Sequence, residues 1–278
     1  KKYIQELLYI KYLALVKLMR FKECLVTLKK AFSIKEDYYY LCELGSLYLI
    51  LEEHQKAFTC FNKAIKINAT EPVAYLGLAE YYAKLNQLFK AARLAFKIRD
   101  EFPQLSNTLY ILGTIYFIAM KFDKALEYYD QFIDECKAIE QKIKFDVYEQ
   151  DEYVNFSILS RVKSQRIKTL TCLNKPEEAL EEVNIYLQEH SNESILYLDR
   201  AYILFLLGNT LQALEDINKS IQLNSFDHSA FTLLATIDLQ NENYNSALSH
   251  INKALRLLPN SINILTYKAG ILIKLKEY

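Results

Sequence analysis

Glycine, proline and tryptophan are scarce or missing in this chain. Its 278 residues include five glycines, four prolines and no tryptophan. Turns between β-strands draw heavily on glycine and proline, so this supply supports few of them. The composition therefore argues against a sheet-rich protein and favours an all-α fold.

The chain has neither an excess of one charge nor a long apolar run. It carries 34 basic and 34 acidic residues, without a run of five like charges. Nucleic acids and anionic membranes select a basic surface, so neither is expected as a partner. The longest apolar stretch, 109–120, is interrupted by Gly113 and Thr114 and is too short to span a membrane. The pattern of a signal peptide is missing at the start, and we expect both ends to be cut from a longer polypeptide.

The residue types that usually carry chemistry are not grouped in the sequence. The five cysteines show no CxxC spacing, which favours reduced, buried thiols over a disulfide or zinc site. The four histidines form neither HxxxH nor HExxH, and no phosphate-binding or nucleophile-elbow glycine motif occurs. Four glutamates between 177 and 182 are typical of a solvated helix face. We therefore predict no catalytic residue, no cofactor and no metal site, and the chain is not expected to be an enzyme.

Large and small apolar residues recur with a fixed period. Counting Tyr38 as position 1, large residues occupy positions 4, 7, 11 and 24, and small residues occupy positions 8, 20 and 27; these are Leu41, Leu44, Tyr48 and Phe61, then Gly45, Ala57 and Ala64. The alanine at position 20 returns after 34 and 68 residues as Ala91 and Ala125, and Ala179, Ala213 and Ala247 keep the same step. Each unit therefore predicts two amphipathic helices that approach closely at their small residues.

This pattern resembles the tetratricopeptide repeat, a helix–turn–helix unit of 34 residues. The resemblance implies an all-α, right-handed α-solenoid of antiparallel helix pairs that forms a single superhelix over residues 1–278. The units are a degenerate repeat at 5–37, regular repeats at 38–71, 72–105, 106–136, 160–193, 194–227 and 228–261, and a partial repeat at 262–278.

The period is interrupted once, between Ala125 and Ala179, which are 54 residues apart. The extra residues, 137–157, contain no glycine or proline and mix charged with spaced apolar residues, so we predict a helical insertion that protrudes as a hairpin. It could bind a partner or only alter the superhelix. The unit that follows departs from the pattern, because Lys163 and Arg166 stand at positions 4 and 7, where apolar residues are expected.

The resemblance also implies where a partner binds. In the family, positions 2, 5, 9, 12 and 13 of each first helix line a concave groove, which here contains Tyr39, Cys42, Leu76, Tyr110, Phe117, Arg161, Lys168, Leu198, Tyr202 and Phe205. Aromatic anchors of this kind suit a helical or extended segment of another protein. We therefore predict a non-catalytic scaffold or adaptor in a larger intracellular complex, in the cytoplasm or on a cytoskeletal or ciliary structure.

Three other interpretations stay open at this point. The repeats could be the substrate-recognition arm of an enzyme whose catalytic domain lies outside this segment. They could be a purely architectural subunit of a ciliary, trafficking or cell-cycle assembly, using the convex surface and the insertion. The groove could also be filled by the chain's own flanking residues.

Overall fold

The computed structural model describes residues 2–18, 20–34, 36–144 and 156–275. These ranges form fifteen α-helices and no β-strand. The helices are α1 Lys2–Lys17, α2 Phe21–Ile34, α3 Tyr38–Ile50, α4 His54–Ile67, α5 Val73–Lys84, α6 Leu88–Glu101, α7 Asn107–Ile118, α8 Phe122–Lys144, α9 Phe156–Cys172, α10 Pro176–Glu189, α11 Ser194–Leu206, α12 Thr210–Leu223, α13 His228–Gln240, α14 Tyr244–Leu257 and α15 Ile262–Leu275.

The helices form an α-solenoid, as predicted. Odd-numbered first helices pair with the even-numbered second helices that follow them, and each pair packs on the next. From α3 to α13, each first helix also packs on the first helix of the next repeat. Successive second helices of the described chain make no comparable contact. Because the first helices lie closer together, the solenoid curves towards them, and they form its concave layer.

Small residues allow the paired helices to approach, as the pattern predicted. The ring of Phe61 on α4 is fully buried and lies against Gly45 on α3 and Gly77 on α5. A Cβ atom at position 45 would come within 2.5 Å of that ring. Tyr129 on α8 fills the same place over Gly113 on α7. One aromatic side chain thus fills the space that side chains at the neighbouring glycines would occupy.

The turn inside each of the six repeats from α3 to α14 has one residue in the left-handed region, always at position 15. Gly208 has this conformation with φ 82°, and five non-glycine residues share it: Glu52, Asn86, Met120, Asn174 and Glu242. The next amide donates to the carbonyl five residues back, as from Gln87 to Tyr82 at 2.8 Å. This is the Schellman arrangement that ends a helix. The sequence analysis did not foresee it, because glycine marks only one of these six turns.

Both flanks of the predicted insertion are helical. α8 has 23 residues against 14 in α6, and α9 has 17 against 12 in α7. The centre of the insertion, residues 145–155, lies outside the described residues. No helix among the described ranges has the length and apolar character needed to cross a membrane.

The two cations in the irregular fifth unit, buried Lys163 and half-buried Arg166, lie against acids and an aromatic ring. The Lys163 ammonium lies 4.2 Å from the centre of the Tyr186 ring and 3.5 Å from a Glu189 oxygen. Arg166 on α9 donates to Asp130 on α8 at 2.5 Å and pairs with Glu182 on α10. These pairs supply the contacts that apolar residues supply in the other repeats.

The first and last parts of the solenoid touch. Lys22 at the start of α2 donates to the carbonyl of Arg256 near the end of α14 at 3.0 Å. Arg20 lies 5.8 Å from the centre of the Phe226 ring, which precedes α13. Leu51, in the turn between α3 and α4, belongs to the apolar cluster of the last two repeats. The solenoid therefore completes about one turn, and the intra-repeat turns at one end meet the inter-repeat loops at the other.

Candidate partner-binding groove

The concave layer presents apolar side chains that the helix packing leaves open. On α11, Tyr202 and Leu206 are 43% and 50% exposed, and Phe205 beside them is half-buried. These residues lie three and four positions apart, so they share one face of the helix. An exposed apolar surface of this kind is typical of a protein-interaction site.

A second aromatic area lies nearer the start of the chain. Tyr39 on α3 is 55% exposed, and its ring packs edge-on against Tyr38 with the centres 5.3 Å apart. Tyr38 is fixed in turn, because its hydroxyl donates to the Glu71 carbonyl and accepts from the Ala74 amide. Phe117 on α7 is half-buried and packs edge-on against Phe122. These rings are held by neighbours and so lose little freedom when they bind.

An arginine occupies the groove between the two areas. The guanidinium of Arg161 on α9 lies 5.5 Å from the centre of the Tyr110 ring on α7, a cation–π distance. Tyr110 and Glu80 favour its charged form and raise the pKa of Arg161. The groove thus places a fixed positive charge beside an aromatic surface, where a partner's carboxylate or backbone carbonyl could bind.

A lysine and a buried acid form the next polar contact along the groove. The Lys168 ammonium lies 3.5 Å from a carboxylate oxygen of Asp199 on α11, and the Asp199 side chain is only 3% exposed. Burial raises the pKa of the Asp199 carboxyl, while Lys168 opposes that change. Part of the charge of Lys168 therefore neutralises Asp199 and is not available to a partner.

Four of the ten predicted residues are not accessible. Cys42 and Leu76 are 4% and 7% exposed, and Tyr110 and Leu198 are 7% exposed each. They all stand at position 5, which packs against the neighbouring first helix. Their side chains support the groove wall. The surface open to a partner is formed by Tyr39, Phe117, Arg161, Lys168, Tyr202 and Phe205, with Leu206 added.

Sequence reasoning missed one polar network behind the groove. Arg200 on α11 donates to both carboxylate oxygens of Asp216, at 2.6 and 2.7 Å, and to Asn184 at 3.0 Å. Arg200 follows Arg166 by 34 residues, and Asp216 follows Glu182 by 34. Both repeats have an arginine at position 7 and an acidic residue at position 23, and this recurrence could have predicted the contact.

The described residues offer no arrangement suited to metal binding or nucleophilic catalysis. They contain no group of three or more histidine, cysteine or acidic side chains that could hold a metal ion. Asp238 accepts a hydrogen bond from Ser246 at 2.7 Å and lies 2.7 Å from Nδ1 of His250. The serine thus faces the carboxylate and not the imidazole, whereas a nucleophile needs to face its base.

Comparison with known proteins finds a family match for one of the repeats. The tetratricopeptide repeat family model matches residues 38–71. A "TPR repeat-containing protein" of Methanocaldococcus jannaschii is 27% identical over 169 residues, which take in 55% of this chain and 30% of that protein. The chain therefore spans under a third of the length of this relative.

Solved structures show the same fold over most of the chain. A tetratricopeptide repeat protein from Parabacteroides merdae superposes with a TM-score of 0.62 at 19% identity, covering 97% of this chain and 99% of the other. PilF of Pseudomonas aeruginosa gives 0.51 at 18% identity, covering 84% and 97%. Proteins of this family generally serve as protein-interaction scaffolds. The chain thus shares its recurring helix pairs and its fold with tetratricopeptide repeat proteins, and its residues 38–71 match the repeat of that family.

Proposed function

We propose that this protein is a non-catalytic scaffold that binds a helical or extended segment of another protein in its concave groove, as part of a larger intracellular complex. The observation that carries the proposal is the exposed apolar face of α11, Tyr202 with Leu206, on the concave layer. Phe117 and Tyr39 add aromatic surface on other first helices, and Arg161 adds a charge between them.

The shape and chemistry of this surface favour a peptide over a small molecule. Its anchors come from α3, α7, α9 and α11, so the surface runs along several repeats and is not one enclosed cavity. Rigid aromatic side chains that are spaced along such a groove contribute most of the binding energy in peptide recognition. The single guanidinium would then fix the direction of the bound segment.

The proposal is tested by selecting peptides from a displayed library against the folded chain and measuring their affinity by calorimetry. We expect Tyr202→Ala with Phe117→Ala to weaken the selected peptides by roughly 30-fold or more, since aromatic hot-spot residues each contribute at least about 1 kcal/mol and about 1.4 kcal/mol corresponds to a tenfold change.

The matched control is Phe89→Ala on the second helix α6. Phe89 is 82% exposed, so its removal changes a similar amount of aromatic surface outside the concave layer. This variant should bind the same peptides as the unmodified chain. Unchanged affinity in the groove double variant, or an equal loss with Phe89→Ala, would contradict binding in the groove.

A further inference from the structure

The contact between distant repeats joins opposite edges of the array. Arg20 and Lys22 lie where α1 leads into α2, and Leu51 lies in the turn between α3 and α4. On the other side of the contact, Phe226 precedes α13 and Arg256 lies near the end of α14. The edge formed by turns within repeats thus meets the edge formed by loops between repeats. We call this contact the seam.

The seam has few contacts compared with the packing of neighbouring repeats. It consists of one hydrogen bond to a backbone carbonyl, one cation–π contact, and a small apolar contact made by Phe21, Leu25 and Leu51. The cation–π contact is weak, because the Arg20 side chain is 38% exposed and Phe226 is 44% exposed. Neighbouring repeats are joined by packed helices instead. The seam can therefore open while the helix packing of neighbouring repeats stays intact.

A closed seam makes the concave layer a ring. The described helices complete about one turn with the first helices on the inside. The ring has two open sides, one bounded by the turns within repeats and the other by the loops between repeats. A chain that passes through such a ring gets there in one of two ways. Either one of its ends is threaded, or the seam opens and the chain enters from the side.

The exposed groove residues lie near both open sides of the ring. Tyr39 and Arg161 stand at position 2, towards the side bounded by the loops between repeats. Phe117 and Leu206 stand at positions 12 and 13, at the ends of their helices beside the turns within repeats. A segment that contacts both pairs of residues therefore crosses the ring from one open side to the other.

We propose that the seam is the entrance to the groove: it opens to admit a partner segment that lies between two folded domains, and it closes around that segment. The inference rests on the proposed function, because it concerns the route into the same groove. Threading excludes such a partner, since a folded domain at either end would have to pass through the ring. Small rotations shared among the repeats are enough to separate the seam.

Opening is measured first without a partner, by pulsed electron paramagnetic resonance between two spin labels. Val26→Cys on α2 and Asn260→Cys after α14 place the labels on exposed residues beside the seam. A Cys60→Ser, Cys172→Ser background leaves buried thiols only. The unmodified seam should give a main short distance between the labels and a minor longer distance.

A matched pair of variants at one residue shifts this balance. Phe226→Lys places a second cation beside Arg20 and should raise the fraction of the longer distance several-fold. Phe226→Asp places an opposite charge there and should keep the seam closed. Phe226 is partly exposed, and circular dichroism checks that both variants fold. A single short distance in the unmodified chain and in Phe226→Lys would overturn the proposal.

A covalent lock then tests the route of entry. The Lys22 amine lies 3.0 Å from the Arg256 carbonyl oxygen, and both side chains are exposed. Lys22→Cys and Arg256→Cys, in the same background, are joined by a short bismaleimide. N-ethylmaleimide on the same two cysteines is the control, because it leaves the seam free to open. One selected peptide is used in two forms, free and as the linker between two folded carrier domains.

The order of locking and binding gives opposite results for the two forms. When the lock is formed first, the free peptide should still bind, whereas the carrier should bind only the control. When the carrier is bound first, the lock should retain it against an excess of free peptide. Equal binding of the carrier to locked and control protein, or its release from the locked complex, would overturn the proposal. Failure of the free peptide to bind the control would instead contradict the proposed function, and the spin-label distances would still decide whether the seam opens.

Discussion

At the scale of single residues, the turn between the two helices of a repeat has the same left-handed backbone conformation whether or not the residue is a glycine. Position 15 is left-handed in six repeats, yet only Gly208 is a glycine. Asparagine tolerates this region, whereas Glu52, Met120 and Glu242 adopt it at a cost. The hydrogen bonds of the Schellman turn and the packing of the two helices offset that cost.

We expect Met120→Gly to raise the free energy of unfolding by roughly 0.5–1 kcal/mol, because glycine reaches positive φ without the Cβ clash. Met120 is 76% exposed, so little packing is lost with its side chain. Gly208→Ala is the reverse change and should lower stability by a similar amount. Urea unfolding followed by circular dichroism measures both, and a lower midpoint for Met120→Gly would show that its side chain stabilises the turn.

A second residue-scale prediction concerns pH. Burial raises the pKa of Asp199 above its ordinary value in the unfolded chain, so the folded state favours the protonated carboxyl. The contribution of Asp199 to stability is therefore full below its unfolded pKa and is lost as pH rises through the folded pKa. Asp199→Asn mimics the neutral form and should remove this part of the pH dependence.

Urea midpoints for the unmodified chain and Asp199→Asn, measured from about pH 4 to pH 8, test this expectation. The variant should gain stability relative to the unmodified chain as pH rises. A steeper gain in stability with pH for the unmodified chain than for the variant would show that the ion pair with Lys168 outweighs burial. The prediction that the pKa of Asp199 is raised in the folded state would then be wrong.

At the scale of helices, partly buried ion pairs join neighbouring repeats where apolar residues are missing. Arg166 connects α8, α9 and α10, and Arg200 connects α10, α11 and α12 in the same register. Each arginine contacts the second helix of its own repeat and that of the repeat before. The pairs therefore fix the position of adjacent repeats as well as the packing within one.

We expect Arg200→Ala to destabilise the fold by about 3 kcal/mol, because Asp216 is left buried without its partner. Adding Asp216→Ala should cost little more, so a double-mutant cycle would give a large coupling energy. The exposed pair Lys97–Glu101 is the control, and its coupling should stay below about 0.5 kcal/mol. Additive effects of Arg200→Ala and Asp216→Ala would contradict a coupled buried pair.

The sequence was sufficient for the helices and their contacts, because both depend on a local period. Phe61 over Gly45 and Tyr129 over Gly113 lie where the 34-residue pattern placed large and small residues. The contact between Arg200 and Asp216 depends on charged residues that recur at fixed positions of the repeat. A pattern of apolar residues does not predict such a contact. The apolar pattern also did not predict which groove residues are exposed. A residue at position 5, such as Tyr110, lies on the groove side but packs under the next helix.

At the scale of the whole molecule, the shape of the solenoid follows from small rotations that add up over repeats. The contact between Lys22 and Arg256, which are 234 residues apart, therefore cannot be predicted from the sequence of any single repeat. This contact joins the first repeat to the seventh. The groove that we propose for partner binding depends in the same way on how successive repeats are arranged, and not on any one of them.

Cross-linking mass spectrometry on the protein isolated from its native source, with its partners still bound, tests the scaffold proposal most directly. Lys168 lies in the groove, Lys84 ends a first helix, and Lys97 on the second helix α6 is 67% exposed outside it. We predict cross-links from Lys168 and Lys84 to a segment of a different protein. The opposite result would be that only Lys97 and its neighbours form cross-links to other proteins, while Lys168 and Lys84 are linked only to this chain. That result would contradict recognition in the groove and favour an architectural role.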